Sequence, residues 1–497
     1  MVNSVSAPST NVKTSIFYIN DIHGQVPKME QITSASTQFD SYAKQQKSDA
    51  LKLSSGDIFI GGDKKTNQVA ANFLQTAGIQ ATTIGNHEID GSVSTLAGFI
   101  SNIKTKFLGM NMNIPDDSKL NGKVARSTII EENGNKYGII GLQPIDIMHR
   151  IKSPKLLEGI TIDNEQETLK ELQEEVDGLE KQGVNKVIVL SHTGNVEDKK
   201  IAQTVKGVDV ILGGHSHDLI KGIKEGENLF YTSTGDPVVI TQAGRDGHNF
   251  GVLDLEFDAS GKIKKAENSV IPTKDYSKSL IMTTQTDKIL GPSPQIGVLK
   301  NSPGYPKNSL IEENACADFV ADAVKKELGA DIVLINSANF RGNLVAGSIT
   351  ARDISSIFPF KNRLCKVQIT EKELIDALNH GGTSLKSPDN KPNIMQVSGM
   401  TYTLNKDGKV VEATYIDNNN QKHSIDVNNP DPNKKYTAIY DDFICQGNDK
   451  FTMLNKMDSL IEYYEFDKDK VTSDYISKLN NQPFEIAKDG RITIQEQ

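Results

Sequence analysis

Five times in its first half the chain runs through a short apolar, β-branched stretch and ends it on side chains that bind metals. "FYINDIHG" ends in Asp21 and His23, "LKLSSGDIF" in Asp57, and "TTIGNHEID" in Asn86, His87, Glu88 and Asp90; "VIVLSHTG" ends in His192 and "VDVILGGHSHD" in His215 and His217. Runs of this length, at 14–19, 50–53, 81–84, 137–140, 187–190 and 208–212, read as strands, with further strands at 231–240 and 251–257. The Glu-, Lys- and Leu-rich stretch 164–182 has helical spacing, so the half reads as an α/β layered domain. In such sheets ligands gather at the C-terminal ends of the strands, where separate motifs can meet. Singly, each motif has a plainer reading: a capped turn at Asp21 and His23, a tight turn at Gly56-Asp57, a structural histidine at His192. Five of the nine histidines fall within these motifs, which argues for convergence.

At 497 residues the chain exceeds one ordinary core. We expect a first domain at 13–271, a Pro-interrupted connection at 272–306 holding one short helix near 276–289, and a second α/β domain at 307–497. The second domain reads as helices at 312–328, 350–357 and 371–380, with strands at 331–335, 364–369, 399–404 and 435–440. A composition of 37% hydrophobic and 24% charged residues is that of a globular protein. The net charge of -9 argues against a nucleic-acid polymer as partner, since such binding needs a cationic surface. The longest apolar runs are strand-sized, far short of a transmembrane segment. Cys316, Cys365 and Cys445 are odd in number and lack CxxC spacing, which indicates neither a disulfide framework nor a zinc ribbon but small buried side chains. The N-terminus "MVNSVSAPSTNVKTS" has no cationic start and no apolar h-region. Its polar, Ser-rich character is expected of a periplasmic, cell-surface or secreted chain without its signal sequence, and a cytoplasmic protein is the alternative.

The ligand set is imidazole, carboxylate and amide without thiolate, which suits Zn, Mn, Co or Fe. It is too large for one tetrahedral ion. Two divalent metal ions sharing a carboxylate would use it fully, and such pairs, about 3.5–4 Å apart, recur in phosphatases and nucleases.

The ordered series "NDIHG", "GD", "GNHEID", "SHTG" and "GGHSH" resembles the calcineurin-like metallophosphoesterases, and the form "GNHExD" resembles their 5′-nucleotidase branch. The fold this implies is α/β: an N-terminal metallophosphoesterase β-sandwich flanked by helices, then a C-terminal α/β substrate-binding domain. By the resemblance, Asp21, His23, Asp57 and His217 would hold one metal and Asp57, Asn86, His192 and His215 the other, with Asp57 bridging. His87 would then donate to the phosphoryl and leaving-group oxygens, while Asp90 orients its imidazole and favours the cationic form. Glu88 is left as a supporting group, and Gly85 is expected to let the backbone turn sharply enough to present Asn86 and His87. The implied chemistry is in-line hydrolysis by activated water, with no Ser or Cys nucleophile. No Walker-type GxxxxGK[ST] loop is present.

Three stretches of the second half resemble the nucleotide-binding domain of the 5′-nucleotidases: "NSANFRG" at 336–342, "IFPFKN" at 357–362 and "YDDFICQGNDKF" at 440–451. By that resemblance Arg341 would contact phosphate, Phe360 and Phe443 would sandwich the base, Asp449 would accept from the ribose hydroxyls and Asn336 would bond the base edge. Two aromatic faces can stack on any nucleobase. An isolated Phe near a strand reads first as core, but the Arg, Phe, Phe, Asp order in one domain outweighs that. The sequence also departs from the family. The usual Gly-rich "NGGxxR" loop is here Asn336-Ser337-Ala338-Asn339-Phe340-Arg341, which puts side chains where backbone would approach the ligand. Near the start of the second domain, "NSLIEENACADF" has no arginine before Glu312, so Lys307 and Arg363 are the candidates to compensate, and the first motif runs on as "GQVPKMEQ" without the usual Gly-Gly and Arg.

The expected function is hydrolysis of nucleoside 5′-monophosphates, a small-molecule nucleotide being the substrate. On the same frame the alternatives are a 2′,3′-cyclic-nucleotide phosphodiesterase and a UDP-sugar or dinucleotide pyrophosphatase. From another class, the alternative is a non-catalytic metal- and nucleotide-binding surface protein.

Overall fold

The apolar runs of the first half become strands buried on both faces, which is why they read as continuous rather than alternating. In the strand Val12–Ile19, Ile16 and Tyr18 face one apolar layer while Phe17 and Ile19 face another. In Val187–Ser191, Ile188 and Leu190 divide from Val187 and Val189 in the same way. The computed structural model describes residues 11–495 except 62, 152, 305, 307, 309, 359 and 387–391. The chain divides into two units, 1–292 and 293–497.

Among the described residues, the first unit is built on a seven-stranded and a six-stranded sheet. The seven-stranded sheet runs Ile263–Pro272, Asn249–Phe257, Val12–Ile19, Asp49–Ser54, Ala81–Thr83, Lys106–Leu108, Val124–Ala125. The six-stranded one runs Leu229–Tyr231, Pro237–Thr241, Val210–Leu212, Val187–Ser191, Asn135–Leu142, Ser127–Glu132. One apolar layer lies between the sheets, joining Ile16, Leu51, Leu53 and Leu253 to Tyr137, Ile139, Ile188 and Leu212. Helices close the two outer faces: Val26–Gln46, Lys64–Thr76 and Val93–Ile100 on one, Glu165–Glu180 and Asn195–Thr204 on the other. The result is the helix-flanked β-sandwich expected from the sequence.

The expected helix 164–182 forms over Glu165–Glu180. Asn164 accepts from the Glu167 N–H while the Glu167 carboxylate accepts from the Asn164 N–H, a reciprocal cap that fixes its start. The longest helix, Val26–Gln46, has no such sequence signature. Rich in Ser, Thr and Gln, it is held by Met29, Ile32, Phe39 and Ala43 packed into the outer layer. The stretch 231–240, expected as one strand, is a hairpin in which Leu229–Tyr231 pairs antiparallel with Pro237–Thr241. Gly235, at φ 80°, makes the turn.

Within 272–306, Leu280–Leu290 is a helix capped by Ser279, and its Met282 is fully buried in the first unit. Gln295–Leu299 is a strand of the second unit, paired with Gly347–Thr350. The second unit centres on a mixed five-stranded sheet, ordered Met395–Ser398, Ile332–Asn336, Lys435–Asp441, Arg363–Thr370, Glu462–Asp467. One apolar layer covers each side of it: Ala315–Leu328 packs on one, Glu371–Gly382 on the other. Cys316, Cys365 and Cys445 are all free and buried, as expected.

Candidate metal centre and nucleotide site

The ligand-bearing motifs of the first unit leave their strands through an uncommon backbone conformation. Asp21 (φ 51°), His23 (49°), Asp57 (52°), His215 (71°) and His217 (62°) are all left-handed, although none is glycine. Such residues cost of order 1–3 kcal/mol each and persist only where surrounding bonds enforce them. Here the Asp21 N–H donates to the Gly56 carbonyl at 3.0 Å, the His23 N–H to the Asp57 carbonyl at 2.9 Å, and the His215 N–H to the Asp21 carboxylate at 3.1 Å. Each strand-end turn is thus locked by the next.

The consequence is a cluster of buried donors. Nε2 of His192 lies 3.1 Å from Asp57 Oδ2 and 3.8 Å from Asp21 Oδ1. Nε2 of His23 lies 3.5 Å from Asp57 Oδ2 and 3.7 Å from Asp21 Oδ1, and Nε2 of His217 lies 3.3 Å from Asp21 Oδ1. On the far side, His215 Nδ1 lies 3.0 Å from Asn86 Oδ1. The Nε2 atoms of His23, His192 and His215 are buried and have no hydrogen-bond partner, a costly state for a polar atom unless something else binds it. The donor atoms of Asp21, His23 and His217 lie within 4.8 Å of one another, as do those of Asp21, Asp57 and His192, and those of His23, Asp57 and His87. These orphaned nitrogens facing buried carboxylates fit divalent ions of the kind the ligand chemistry selects.

The electrostatics agree. Burial alone would strip the proton from His192, but Asp57 and Asp21 outweigh it and raise its pKa to about 10. For His23, burial is outweighed by Asp246 and Asp57, and its pKa rises to about 9. Burial would raise the Asp57 carboxyl, yet His192 and His87 hold it well below its usual range. A field that draws protons onto buried imidazoles is one that calls for positive charge.

His87 stands beside this cluster, its ring centroid 5.1 Å from that of His23, with its side chain 25% exposed. Its Nδ1 lies 2.6 Å from Asp90 Oδ2, and its main-chain N–H donates to Asp57 Oδ1 at 2.9 Å. Glu88 turns inward, where its carboxylate accepts from the N–H groups of Gly85, Asp57, Ile58 and Phe59 at 2.7 to 3.3 Å. Gly85 corrects an expectation: its φ is not positive, so turning is not the reason for glycine. A Cβ there would fall 2.1 Å from Asp57 Oδ1 and 2.8 Å from His192 Cε1, so the position requires glycine for close approach.

Sequence reasoning missed three residues of this site. Asn20 donates to Asp21 Oδ2 at 2.7 Å and to the Gly244 carbonyl at 2.6 Å. Asp146 Oδ1 lies 3.4 Å from His215 Nε2. Asp246 Oδ1 lies 2.9 Å from His23 Nδ1. The signal for Asp246 was present, because "VVITQAGRDG" is a sixth apolar strand ending in a carboxylate.

In the second unit, Asn336 and Asp449 meet, with Asn336 Nδ2 3.2 Å from Asp449 Oδ2. Asn336 is 2% exposed and also caps its own turn, accepting from the Ala338 N–H at 3.1 Å. The Arg341 guanidinium lies 5.9 Å from the Phe360 ring centroid, a cation–π distance, and its Nε donates to the Ala338 carbonyl. Phe360, Phe443, Arg341 and Asp449 are all partly exposed. The side chains that replace the Gly-rich loop point inward: Ser337 accepts from Gln396, Asn339 donates to Asp441, and Phe340 packs on Phe358 with centroids 5.0 Å apart. They fill the core rather than the surface where Arg341 and Phe360 lie. Of the two candidate compensating cations, Arg363 pairs with Glu465 at 2.7 Å, and Lys307 lies outside the described residues.

Fold and site together define a calcineurin-like metallophosphoesterase with an appended α/β domain. The Calcineurin-like phosphoesterase profile matches residues 14–219, and the profile of the 5′-nucleotidase C-terminal domain matches 295–456. The chain is 25% identical to the mouse (Mus musculus) 5′-nucleotidase, the match covering 94% of this chain and 88% of that one. It is 27% identical to an apyrase of Aedes albopictus (89% of this chain, 85% of that one). To the trifunctional nucleotide phosphoesterase protein YfkN of Bacillus subtilis it is 24% identical over 89% of its own length, but it spans only 32% of that protein. Among solved structures, a 5′-nucleotidase precursor of Thermus thermophilus superposes with a TM-score of 0.69 at 22% identity, covering 98% of this chain and 100% of that one. The sulfate thiohydrolase SoxB of Thermus thermophilus superposes at 0.66 with 15% identity, covering 99% and 98%. The fold therefore hosts more than one chemistry.

The protein belongs to the 5′-nucleotidase family and is a metal-dependent nucleotide phosphoesterase of its 5′-nucleotidase/apyrase group. That family implies a dinuclear metal centre, for which the Asp and His clusters are present. No helix among the described residues is long and apolar enough to cross a membrane.

Proposed function

We propose that the chain removes the phosphate of nucleoside 5′-monophosphates, the first unit supplying hydrolysis and the second recognition of base and sugar. In this reading Asp21, His23, Asp57 and His217 hold one divalent ion and Asp57, Asn86, His192 and His215 the other. When bound, the ion pair supplies Lewis acidity to the phosphoryl oxygens and lowers the pKa of the attacking water. The residues do the rest. Asp90 accepts from His87 Nδ1–H and so keeps the imidazole aimed, leaving Nε2 to donate to the phosphoryl and leaving-group oxygens as charge develops there. Glu88, by gathering four N–H groups, holds the Asp57 and Asn86 turns at a fixed separation.

The observation that carries the nucleotide reading is a pair of contacts in the second unit: a guanidinium over an aromatic ring, Arg341 on Phe360, and a carboxylate braced by an amide, Asp449 by Asn336. A cation, an aromatic face and a carboxylate are the groups that phosphate, base and ribose each call for. Phosphate release from AMP, ADP, 2′,3′-cyclic AMP, UDP-glucose and p-nitrophenyl phosphate, with Mn, Zn or Co and with EDTA, tests it. AMP should be preferred and EDTA should abolish turnover. Phe443→Ala should raise the KM for AMP by about 5- to 150-fold, the cost of one base–aromatic stack of about 1–3 kcal/mol, while leaving p-nitrophenyl phosphate turnover unchanged. Equal loss on both substrates would remove Phe443 from base recognition. Preference for the cyclic nucleotide or the nucleotide sugar would move the assignment to those substrates.

A further inference from the structure

The imidazoles that face Asp21 and Asp57 are held from behind, and their holders differ. His192 Nδ1 lies 2.6 Å from the Ser55 carbonyl oxygen, and His23 Nδ1 lies 2.9 Å from Asp246 Oδ1. A carbonyl or a carboxylate at that distance accepts, so Nδ1 of each ring keeps its proton, and Nε2 is the nitrogen whose lone pair serves a metal ion once its own proton is displaced. Those Nε2 atoms are the buried nitrogens without a hydrogen-bond partner. The opposite tautomer would turn an N–H toward the metal position and could not ligate.

The two holders are not equivalent. A main-chain carbonyl serves His192 whatever the side chain of residue 55, whereas a removable side chain serves His23. Asp246 is fully buried and sits in left-handed backbone at φ 56°. Its main-chain N–H donates to the Asp21 carbonyl at 2.6 Å, and its Oδ2 lies 3.3 Å from Arg245 Nε. One residue of the loop after Pro237–Thr241 therefore ties down both ligands of the "DIH" motif: Asp21 through its backbone and His23 through its side chain.

We propose that Asp246 is the positioning residue of one metal site. It fixes the tautomer and ring orientation of His23, so that the site containing His23 depends on it and the site containing His192 does not. The inference rests on the ligand reading of the preceding subsection. Outer partners of ligating histidines contribute about 10- to 100-fold in metal affinity.

The test is made on chelator-stripped full-length protein, titrated with Zn²⁺ against a chromophoric chelator to resolve the two binding steps. In Asp246→Ala one step should weaken by about 10- to 100-fold and the other keep its wild-type affinity. Asp246→Asn, which retains an acceptor oxygen without the charge, should fall between, and it carries the test if the alanine variant fails to fold. Both keep the main-chain bond to Asp21, so the thermal midpoint of the metal-free Asn variant should match wild type. In ¹⁵N spectra of histidine-labelled protein loaded with Zn²⁺, His23 should show a protonated Nδ1 and a metal-bound Nε2 in wild type and lose that pattern in Asp246→Ala. Adding Asp246→Ala to His23→Ala should cost nothing further. Unchanged affinity at both steps overturns the proposal, as does equal weakening of both together with a lower midpoint, which marks a merely structural residue. If wild type itself shows fewer than two binding steps, the ligand reading fails and the inference with it.

Discussion

His87 is the residue on which turnover should hinge, because it is near the ligand cluster without depending on an ion for its placement. Its ring is held by Asp90 and its backbone by Asp57. His87→Asn should lower kcat/KM by about 10²- to 10⁴-fold, the usual worth of a positioned proton donor, while elemental analysis finds the wild-type metal content; full activity would remove its assigned role. In the second unit, Asp318 is 1% exposed, and neither carboxylate oxygen has a hydrogen bond. Burial pushes its pKa up to about 9 against the opposing Arg491, 3.6 Å away and already engaged by Asp322 and Asp489. The folded state thus binds this proton more tightly than the unfolded chain, whose value is 3.8. Its contribution to stability is complete below that value and is lost as pH rises through about 9. Denaturant unfolding should therefore weaken with rising pH, by at most about 1.4 kcal/mol per unit, and Asp318→Asn should flatten the slope. At this scale the motifs made Asp21, His23, Asp57, Asn86, His87, Asp90, His192, His215 and His217 legible. Asp146 carried no such local signal; Asp246 did end an apolar run, but nothing in the sequence paired it with His23, because a carboxylate that supports a ligand has no fixed spacing from it.

At the level of elements, the site is made by turns that follow strands rather than by the strands themselves, and the turns have little room. Gly85→Ala should cost about 1–3 kcal/mol of stability, as overpacking does, and should reduce metal stoichiometry, because its Cβ meets Asp57 Oδ1. Gly98 lies in the helix Val93–Ile100, and a Cβ added there would meet nothing within 4 Å. Gly98→Ala should therefore raise stability by up to about 1 kcal/mol with no change in metal content. Chemical denaturation of both variants checks the pair, and equal effects would show that crowding at Asp57 is not the reason for Gly85. Strand ends were readable because an apolar run followed by a ligand is a local pattern. The helix Val26–Gln46 has weak local preferences, and it is the outer face of the sheet that holds it.

For the whole molecule, the apolar layers of 1–292 and of 293–497 are composed of separate residues. Calorimetry should resolve two unfolding transitions. Divalent ions should stabilise the first unit by about 4 kcal/mol at a free concentration about a thousand times Kd, and EDTA should lower that transition alone. A single transition moved as one by EDTA would mean that the units unfold together.

Sequence alone determined the layered α/β class and the strand-end positions of the carboxylates and imidazoles, because each is written in a contiguous run of a few residues. The tertiary structure decided which nitrogen of each imidazole faces the carboxylates, why residue 85 has no side chain, and that Ser337 to Phe340 turn into the core. These depend on atoms from segments as far apart as His23 and Asp246, brought within 2.9 Å only when the two sheets close on their common core.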